Sequence, residues 1–211
     1  MKKTLADVKM GWVAVFAIIT YAIIAIASDL MANKMLSIGG LTLAGGILCV
    51  PISFSVRDLV HRCVGYENAK KIVWATAIVN LAIAILLVVL DYLPAAIPGV
   101  QENWHSLMGS SWRIILASFI AQLVADLSDT YVFEWFTRRF GDNKTWLRVA
   151  GSNVVSTFFD SVLFSMIAFL GVLPMDVLWA SIFSSFLVKF LIAELATPVA
   201  YITNKVEYKH D

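Results

Sequence analysis

The stretch that decides the fold is KIVWATAIVNLAIAILLVVL, which runs from Lys71 to Leu90 and has no charged residue after its first position. The hydrocarbon core of a bilayer is about 30 Å thick, so a helix that crosses it needs about 20 mostly apolar residues. This stretch therefore predicts a membrane-spanning helix.

Five further stretches satisfy the same criterion. With the first, the expected spans are Gly11–Ala27, Gly39–Val56, Lys71–Leu90, Ser111–Phe136, Ala150–Leu170 and Leu178–Asn204. Together they fill most of the 211 residues and leave no room for a soluble catalytic domain. We predict an all-α membrane protein, with one domain of six transmembrane helices over residues 1–211.

The composition supports the same class. Hydrophobic residues make up 60% of the chain and charged residues 15%, and the mean hydropathy is +0.80. Soluble domains are about 45–50% apolar and about 25% charged. A soluble enzyme, a disordered chain and a disulfide-rich secreted protein are therefore disfavoured. The net charge of +1 gives no basic field that would indicate nucleic-acid binding.

The basic residues predict the orientation. If the N-terminus is cytoplasmic, the outer loops hold only Lys34 and Arg113, and Lys189 lies within a span. The inner segments hold the other thirteen of the sixteen: Lys2, Lys3, Lys9, Arg57, Arg62, Lys70, Lys71, Arg138, Arg139, Lys144, Arg148, Lys205 and Lys209. This asymmetry matches the positive-inside rule and predicts both termini on the cytoplasmic side.

Two segments allow more than one interpretation. The first span ends Ala25-Ile26-Ala27, which resembles a signal peptidase site, so cleavage of this span is an alternative. The second span begins with Gly39-Gly40 and Gly45-Gly46, and such pairs permit either close helix packing or local unwinding. The loop from Asp91 to Ser110 is expected to lie along the membrane interface.

Neither cysteine nor histidine forms a catalytic or metal-binding pattern. Cys49 and Cys63 would be about 20 Å apart on one helix, which is too far for a disulfide. His61, His105 and His210 are scattered. We therefore expect no metal, no cofactor and no enzymatic activity.

Polar residues inside the later spans form two stripes at helical spacing. Gln122, Asp126 and Asp129 share one face of the fourth span. Asn153, Thr157 and Asp160 repeat that spacing on the fifth span. An ionised group at mid-bilayer costs at least about 2.5–3.5 kcal/mol, so these stripes are expected to face an inner cavity.

Counting from the loop anchors places Asp126, Asp160 and Lys189 near the midplane, each about 18–20 Å along its helix. Because one lysine faces more than one carboxylate, at least one carboxyl is expected to be protonated or neutralised by a ligand or cation. The predicted substrate-binding residues are Gln122, Asp126, Asp129, Asn153, Thr157, Asp160 and Lys189.

The alternative for these residues is a structural cluster in which Lys189 neutralises one aspartate. Glu194 is left open between the site and helix packing. Asp29 and Glu134 lie near span ends, where a solvated or capping role is expected.

Four segments carry a family resemblance, in order along the chain. They comprise Pro51-Ile52-Ser53-Phe54, Asp58, Gly65-Tyr66 and 69–74; then Ser118, Asp129 and Val132-Phe133; then Ser152, Asp160-Ser161, Phe164 and 167–169; and finally Lys189, Thr197-Pro198 and Tyr201. This set resembles the vitamin uptake transporter family, also called the queuosine precursor transporter family. The chain departs from the family pattern at Asp126, where the family usually has Gln, and at Thr157, where it usually has Gln or Asn.

The resemblance implies a six-span importer of a 7-deazaguanine base, such as the cyano or aminomethyl precursor of queuosine. Asp129 and Asp160 would accept the adjacent N–H and amino groups of its guanine-like edge. Gln122, Asp126 and Asn153 would recognise the remaining groups, and Lys189 would hold the carboxylates or contact the ring carbonyl.

The main alternative is a substrate-capture subunit of a modular ATP-driven vitamin transporter. The chain has no Gly-x-x-x-x-Gly-Lys-Ser/Thr motif of its own, and the first span has no Ala-x-x-x-Ala spacing that would favour docking to such a module. The sequence does not decide whether the protein is a monomer or a homo-oligomer.

Overall fold

A computed structural model describes residues 11–140 and 145–203. Several residues used above, or their side chains, lie outside the described set: Lys2, Lys3, Lys9, Asp58, His61, Arg62, Tyr66, Phe133, Glu134, Lys144, Arg148, Thr197, Pro198, Tyr201, Lys205, Lys209 and His210. The orientation that rests on the charge asymmetry therefore stays a prediction.

The described chain is almost entirely helical. Its helices are α1 (Trp12–Met31), α2 (Val50–Val64), α3 (Tyr66–Tyr92), α4 (Val100–Met108), α5 (Ser111–Phe140), α6 (Thr145–Phe169) and α7 (Met175–Thr203). The stretches long and apolar enough to cross a membrane are Trp12–Met31, Glu67–Tyr92, Val100–Asp129, Ala150–Phe169 and Met175–Leu195. The protein is therefore a multi-pass membrane protein with five candidate spans among its described residues.

The expected second span, Gly39–Val56, is not a continuous helix. Gly39 and Gly40 form the two-residue turn of an antiparallel hairpin between β1 (Met35–Ile38) and β2 (Leu41–Ala44). Their φ angles are +58° and +82°, a region that glycine adopts without the steric cost of a Cβ. The helical part begins with a 3-10 segment, Gly45–Cys49, and continues into α2. The apolar helix over Gly45–Arg57 is shorter than the other spans, so the count of six stays a prediction.

Close packing also occurs in this segment, at Gly46. The hydroxyl of Ser28 on α1 donates a hydrogen bond to the Gly46 carbonyl at 3.1 Å. A Cβ at Gly46 would collide with the Ser28 carbonyl oxygen and lie 2.8 Å from its hydroxyl oxygen. The sequence left close packing and local unwinding open for the glycine pairs. The structure shows a non-helical turn at 39–40 and close helix approach at Gly46.

The chain divides into two compact units. Unit 1 comprises residues 1–33 and 45–112 and contains α1 to α4. Its core forms where α1 packs against α2 and α3, through Ala17, Tyr21, Val60 and Ala69. The expected interfacial loop is partly helical, since α4 lies within it, and Asp91 accepts a hydrogen bond from Gln101 at 2.6 Å through its carbonyl. The prediction of a single domain remains a prediction.

Unit 2 comprises residues 34–44 and 113–211, with the hairpin, most of α5, and α6 and α7. The α6 and α7 helices pack closely, and small side chains line them: Ser161, Ser165, Ser181, Ser184 and Ser185 are all buried. The hairpin is fixed to α7 by a bond from the Thr42 amide to the Ser184 hydroxyl at 3.2 Å. The guanidinium of Arg113 on α5 caps the end of α6 by donating to the carbonyls of Ile167 and Leu170.

Candidate functional site

Asp160 on α6 and Lys189 on α7 form an ion pair inside two candidate spans. The ammonium of Lys189 donates a hydrogen bond to Oδ2 of Asp160 at 2.6 Å. Each residue lies well within its apolar stretch, Ala150–Phe169 or Met175–Leu195. The depth estimate from the sequence placed these two residues at the same level as Asp126, and the structure shows that Asp160 and Lys189 are in contact; their depth in the membrane stays a prediction.

The Asp160–Lys189 pair is partly buried and partly exposed. The side chain of Asp160 is 28% exposed and that of Lys189 is 18% exposed. A pair of charges in a low-dielectric environment is favourable only when further hydrogen bonds or excellent geometry offset the loss of hydration. The exposure leaves the carboxylate reachable by an additional donor, which is what binding of a polar ligand requires.

An aromatic ring lies beside Lys189, and other rings on α6 and α7 contact one another. The ammonium of Lys189 lies 5.5 Å from the centre of the Phe164 ring, within the range of a cation–π interaction. Phe158 meets Phe186 edge-on at 6.1 Å, and Phe186 stacks on Phe190 at 6.0 Å. Lys189 is therefore positioned by a carboxylate and by a ring face. The Phe164 ring is a flat, apolar surface beside the pair that a planar ligand would contact.

A second polar contact joins the same two helices. The side-chain amide of Asn153 on α6 donates to Oε1 of Glu194 on α7 at 3.3 Å. Glu194, which the sequence left open between the site and packing, thus contacts a predicted site residue. The α6–α7 interface holds two carboxylates, from Asp160 and Glu194, and one ammonium, from Lys189. Thr157 lies between Asn153 and Asp160 on the stripe and is half-buried.

The stripe on α5 carries the other predicted residues. Gln122 and Asp129 are half-buried and Asp126 is exposed. Their contribution to a shared site stays a prediction.

The described residues include no group of three His, Cys, Asp or Glu side chains that could hold a metal ion. Cys49 is half-buried and Cys63 is exposed, and both are free thiols. The structure thus shows no disulfide between them.

One polar contact was missed by the sequence analysis. Asp29 on α1 is 6% exposed and Asn80 on α3 is 8% exposed, and the Asn80 amide nitrogen lies 2.5 Å from Oδ2 of Asp29. The expectation that Asp29 is solvated or caps a helix end is wrong, because its carboxyl is buried against a neighbouring helix. The available signal was Asn80 itself, an amide in the middle of the apolar stretch that decides the fold.

Polar groups that meet inside several membrane-spanning helices, without catalytic or metal-binding patterns among the described residues, are typical of membrane transporters. A family model described as "Putative vitamin uptake transporter" matches residues 44–203. The chain belongs to this family, which confirms the resemblance drawn from the sequence, and it is a transporter rather than an enzyme.

Curated relatives agree with this assignment. A "Probable queuosine precursor transporter" of Bacillus subtilis (strain 168) is 32% identical over 184 residues, which cover 86% of this chain and 80% of the relative. The "Queuosine precursor transporter" of Escherichia coli (strain K12) is 26% identical over 161 residues, covering 75% of this chain and 67% of the relative. No solved structure matched the chain.

Proposed function

We propose that this protein imports queuosine precursors, namely 7-cyano- or 7-aminomethyl-7-deazaguanine, across the bacterial inner membrane. The relatives whose names include this activity support the substrate class. The observation that carries the proposed site is the Asp160–Lys189 pair, which lies within two candidate spans and remains partly exposed.

The chemistry of the substrate fits this pair. A guanine-like edge presents a ring N–H beside an amino group, and one carboxylate accepts both. On binding, the base would compete with Lys189 for Asp160. The released ammonium would then contact the ring carbonyl, while the Phe164 ring packs against a face of the base.

The remaining predicted residues would complete the recognition. Asn153 and Thr157 lie on the same face of α6 as Asp160, and Gln122, Asp126 and Asp129 follow the stripe on α5. Buried polar groups that a wrong ligand leaves unpaired lose hydrogen bonds at a high cost, so this set would reject purines that lack the amino group.

Uptake tests the proposal directly. Cells that cannot make 7-deazaguanines receive the base at low concentration, and queuosine in their tRNA is measured with and without this protein. We expect restoration with the natural chain, a strong loss with Asp160→Asn and Lys189→Ala, and no loss with Glu102→Gln, whose side chain is exposed on α4.

Restoration without the protein, or normal restoration by both site variants at equal expression, would contradict the proposal. Co-purification of an ATPase on which uptake depends would instead favour the capture-subunit alternative.

A further inference from the structure

A second polar centre lies in unit 1, on helices that carry none of the residues assigned to substrate. Asp29 and Asn80 connect α1 to α3 through the 2.5 Å contact described above. Asn80 is nine residues from Lys71, about 14 Å along a helix, which is near half of the roughly 30 Å hydrocarbon thickness. Asp29 reaches it from near the end of α1, two residues before Met31, and its carboxyl is buried there.

The Asn80 side chain has one unsatisfied atom. Its nitrogen donates to Asp29, while its Oδ1 is buried and has no hydrogen-bond partner. A buried acceptor without a donor is costly, and more than nine in ten such groups in proteins are paired. The site as it stands therefore lacks one donor.

A proton on Asp29 would supply that donor. With Asp29 ionised, the carboxyl only accepts, and Asn80 must present its nitrogen. With Asp29 protonated, the carboxyl carries an O–H that Asn80 Oδ1 can accept while the amide nitrogen still donates to the other carboxyl oxygen, so both atoms of the amide are paired. Protonation also removes a full charge from a low-dielectric position.

We infer that Asp29 and Asn80 form a proton-binding site that couples import to the proton gradient. A proton from water on the outer side forms an O–H bond with the Asp29 carboxylate, and it leaves to water on the cytoplasmic side when the carboxylate is restored. This coupling role rests on the proposed function, whereas proton binding by Asp29 does not.

Other titratable and charged side chains lie on α1 and on the elements packed against it. Next to α1 lie the 3-10 segment, α2 and α3. Their described titratable or charged side chains, with those of α1, are Tyr21, Cys49, Arg57, Cys63, Glu67, Lys70, Lys71, Asp91 and Tyr92. Asp91 is eleven residues from Asn80, about 16 Å along α3. Of these described groups, Asp29 is the one carboxyl in direct contact with Asn80.

The first test needs no substrate. The full-length protein in lipid nanodiscs is titrated with acid while its carboxyl C=O stretch is followed by infrared spectroscopy. We expect a protonated-carboxyl band that disappears in Asp29→Asn and shifts in frequency in Asn80→Ala, with no change in Glu67→Gln, an exposed acid on α3. A band unaffected by Asp29→Asn, or no such band in the natural protein, would overturn the inference.

The second test measures coupling in proteoliposomes with a labelled 7-deazaguanine base. For one proton per substrate, each pH unit across the membrane sustains about a tenfold accumulation. We expect Asp29→Asn to abolish this accumulation while keeping exchange of internal for external substrate within about twofold of the natural protein, a split that general loss of folding would not give.

Outcomes for the two proposals are separable. No exchange by the natural protein contradicts the proposed substrate, whatever the infrared result. If the natural protein exchanges substrate but its accumulation of substrate follows a sodium gradient, the coupling role is overturned. The same holds if accumulation follows neither a proton nor a sodium gradient. These last measurements use only the natural chain, so they hold even if a variant fails to fold.

Discussion

Two polar contacts between described helices, Asp160–Lys189 and Asp29–Asn80, differ in partner and in exposure. In unit 2, Asp160 meets an ammonium, and both side chains keep part of their surface open, 28% for Asp160 and 18% for Lys189. In unit 1, Asp29 meets a neutral amide, and the two residues are only 6% and 8% exposed. An open, charge-paired carboxylate suits a ligand that arrives with its own donors, whereas a buried carboxyl–amide pair offers little surface to such a ligand and is the pair for which we propose proton binding.

The largest expected effect comes from breaking the open pair on its cationic side. Lys189→Ala leaves Asp160 without its ammonium, and removing one partner of a buried pair costs about 3–5 kcal/mol, with the lower end expected here because the pair is partly exposed. We expect loss of uptake and a clear drop in melting temperature. The double variant Asp160→Ala/Lys189→Ala should recover part of the stability and none of the uptake. Unchanged melting of Lys189→Ala would show that the pair has little energetic weight.

Asp160→Asn changes the residue of the same pair that is proposed to accept hydrogen bonds from the substrate. The amide keeps the size of the side chain but loses the charge that strengthens its hydrogen bonds, which are worth about 1.5–3 kcal/mol when one group is ionised. A loss of this size weakens substrate binding by roughly tenfold to a hundredfold. Exchange in proteoliposomes should fall accordingly, in contrast to Asp29→Asn, which spares it. Equal effects of the two substitutions on exchange would remove the distinction between the centres.

Asn80→Ala perturbs the buried carboxyl–amide pair. It removes the donor to Asp29 and leaves a buried carboxyl with one hydrogen bond fewer, at a cost of about 1–3 kcal/mol. We expect lower thermal stability and altered gradient dependence, while binding of the base is retained. If the variant instead loses base binding at normal stability, Asn80 belongs to the substrate site.

The smallest effect is expected at the second α6–α7 contact. Glu194→Gln preserves an oxygen that accepts from Asn153, so uptake should stay within about twofold of the natural protein. Asn153→Leu removes the contact and, in the proposed site, a substrate contact as well, and it should reduce uptake more strongly. The reverse order of the two variants would indicate that the charge of Glu194, and not its contact with Asn153, matters for transport.

The sequence determined the long spans because an apolar stretch of spanning length has few alternatives to a helix in a membrane. It misassigned 39–44, since the same glycine pair fits helix packing and a hairpin turn, and only the positive φ angles of Gly39 and Gly40 distinguish them. Depth and charge indicated that Lys189 would meet a carboxylate, but they did not distinguish Asp160 from Asp126. The burial of Asp29 was not predictable, because it depends on which helix packs beside α1, and periodicity within one helix carries no such information.

Direct binding tests the central claim most simply. The purified natural protein and Asp160→Asn, with Glu102→Gln as a matched exposed control, are titrated with a labelled 7-deazaguanine base. The account predicts saturable binding by the natural protein and the control, with affinity reduced at least about tenfold in Asp160→Asn. Equal affinity for all three proteins would contradict the assignment of the substrate site to the Asp160–Lys189 pair.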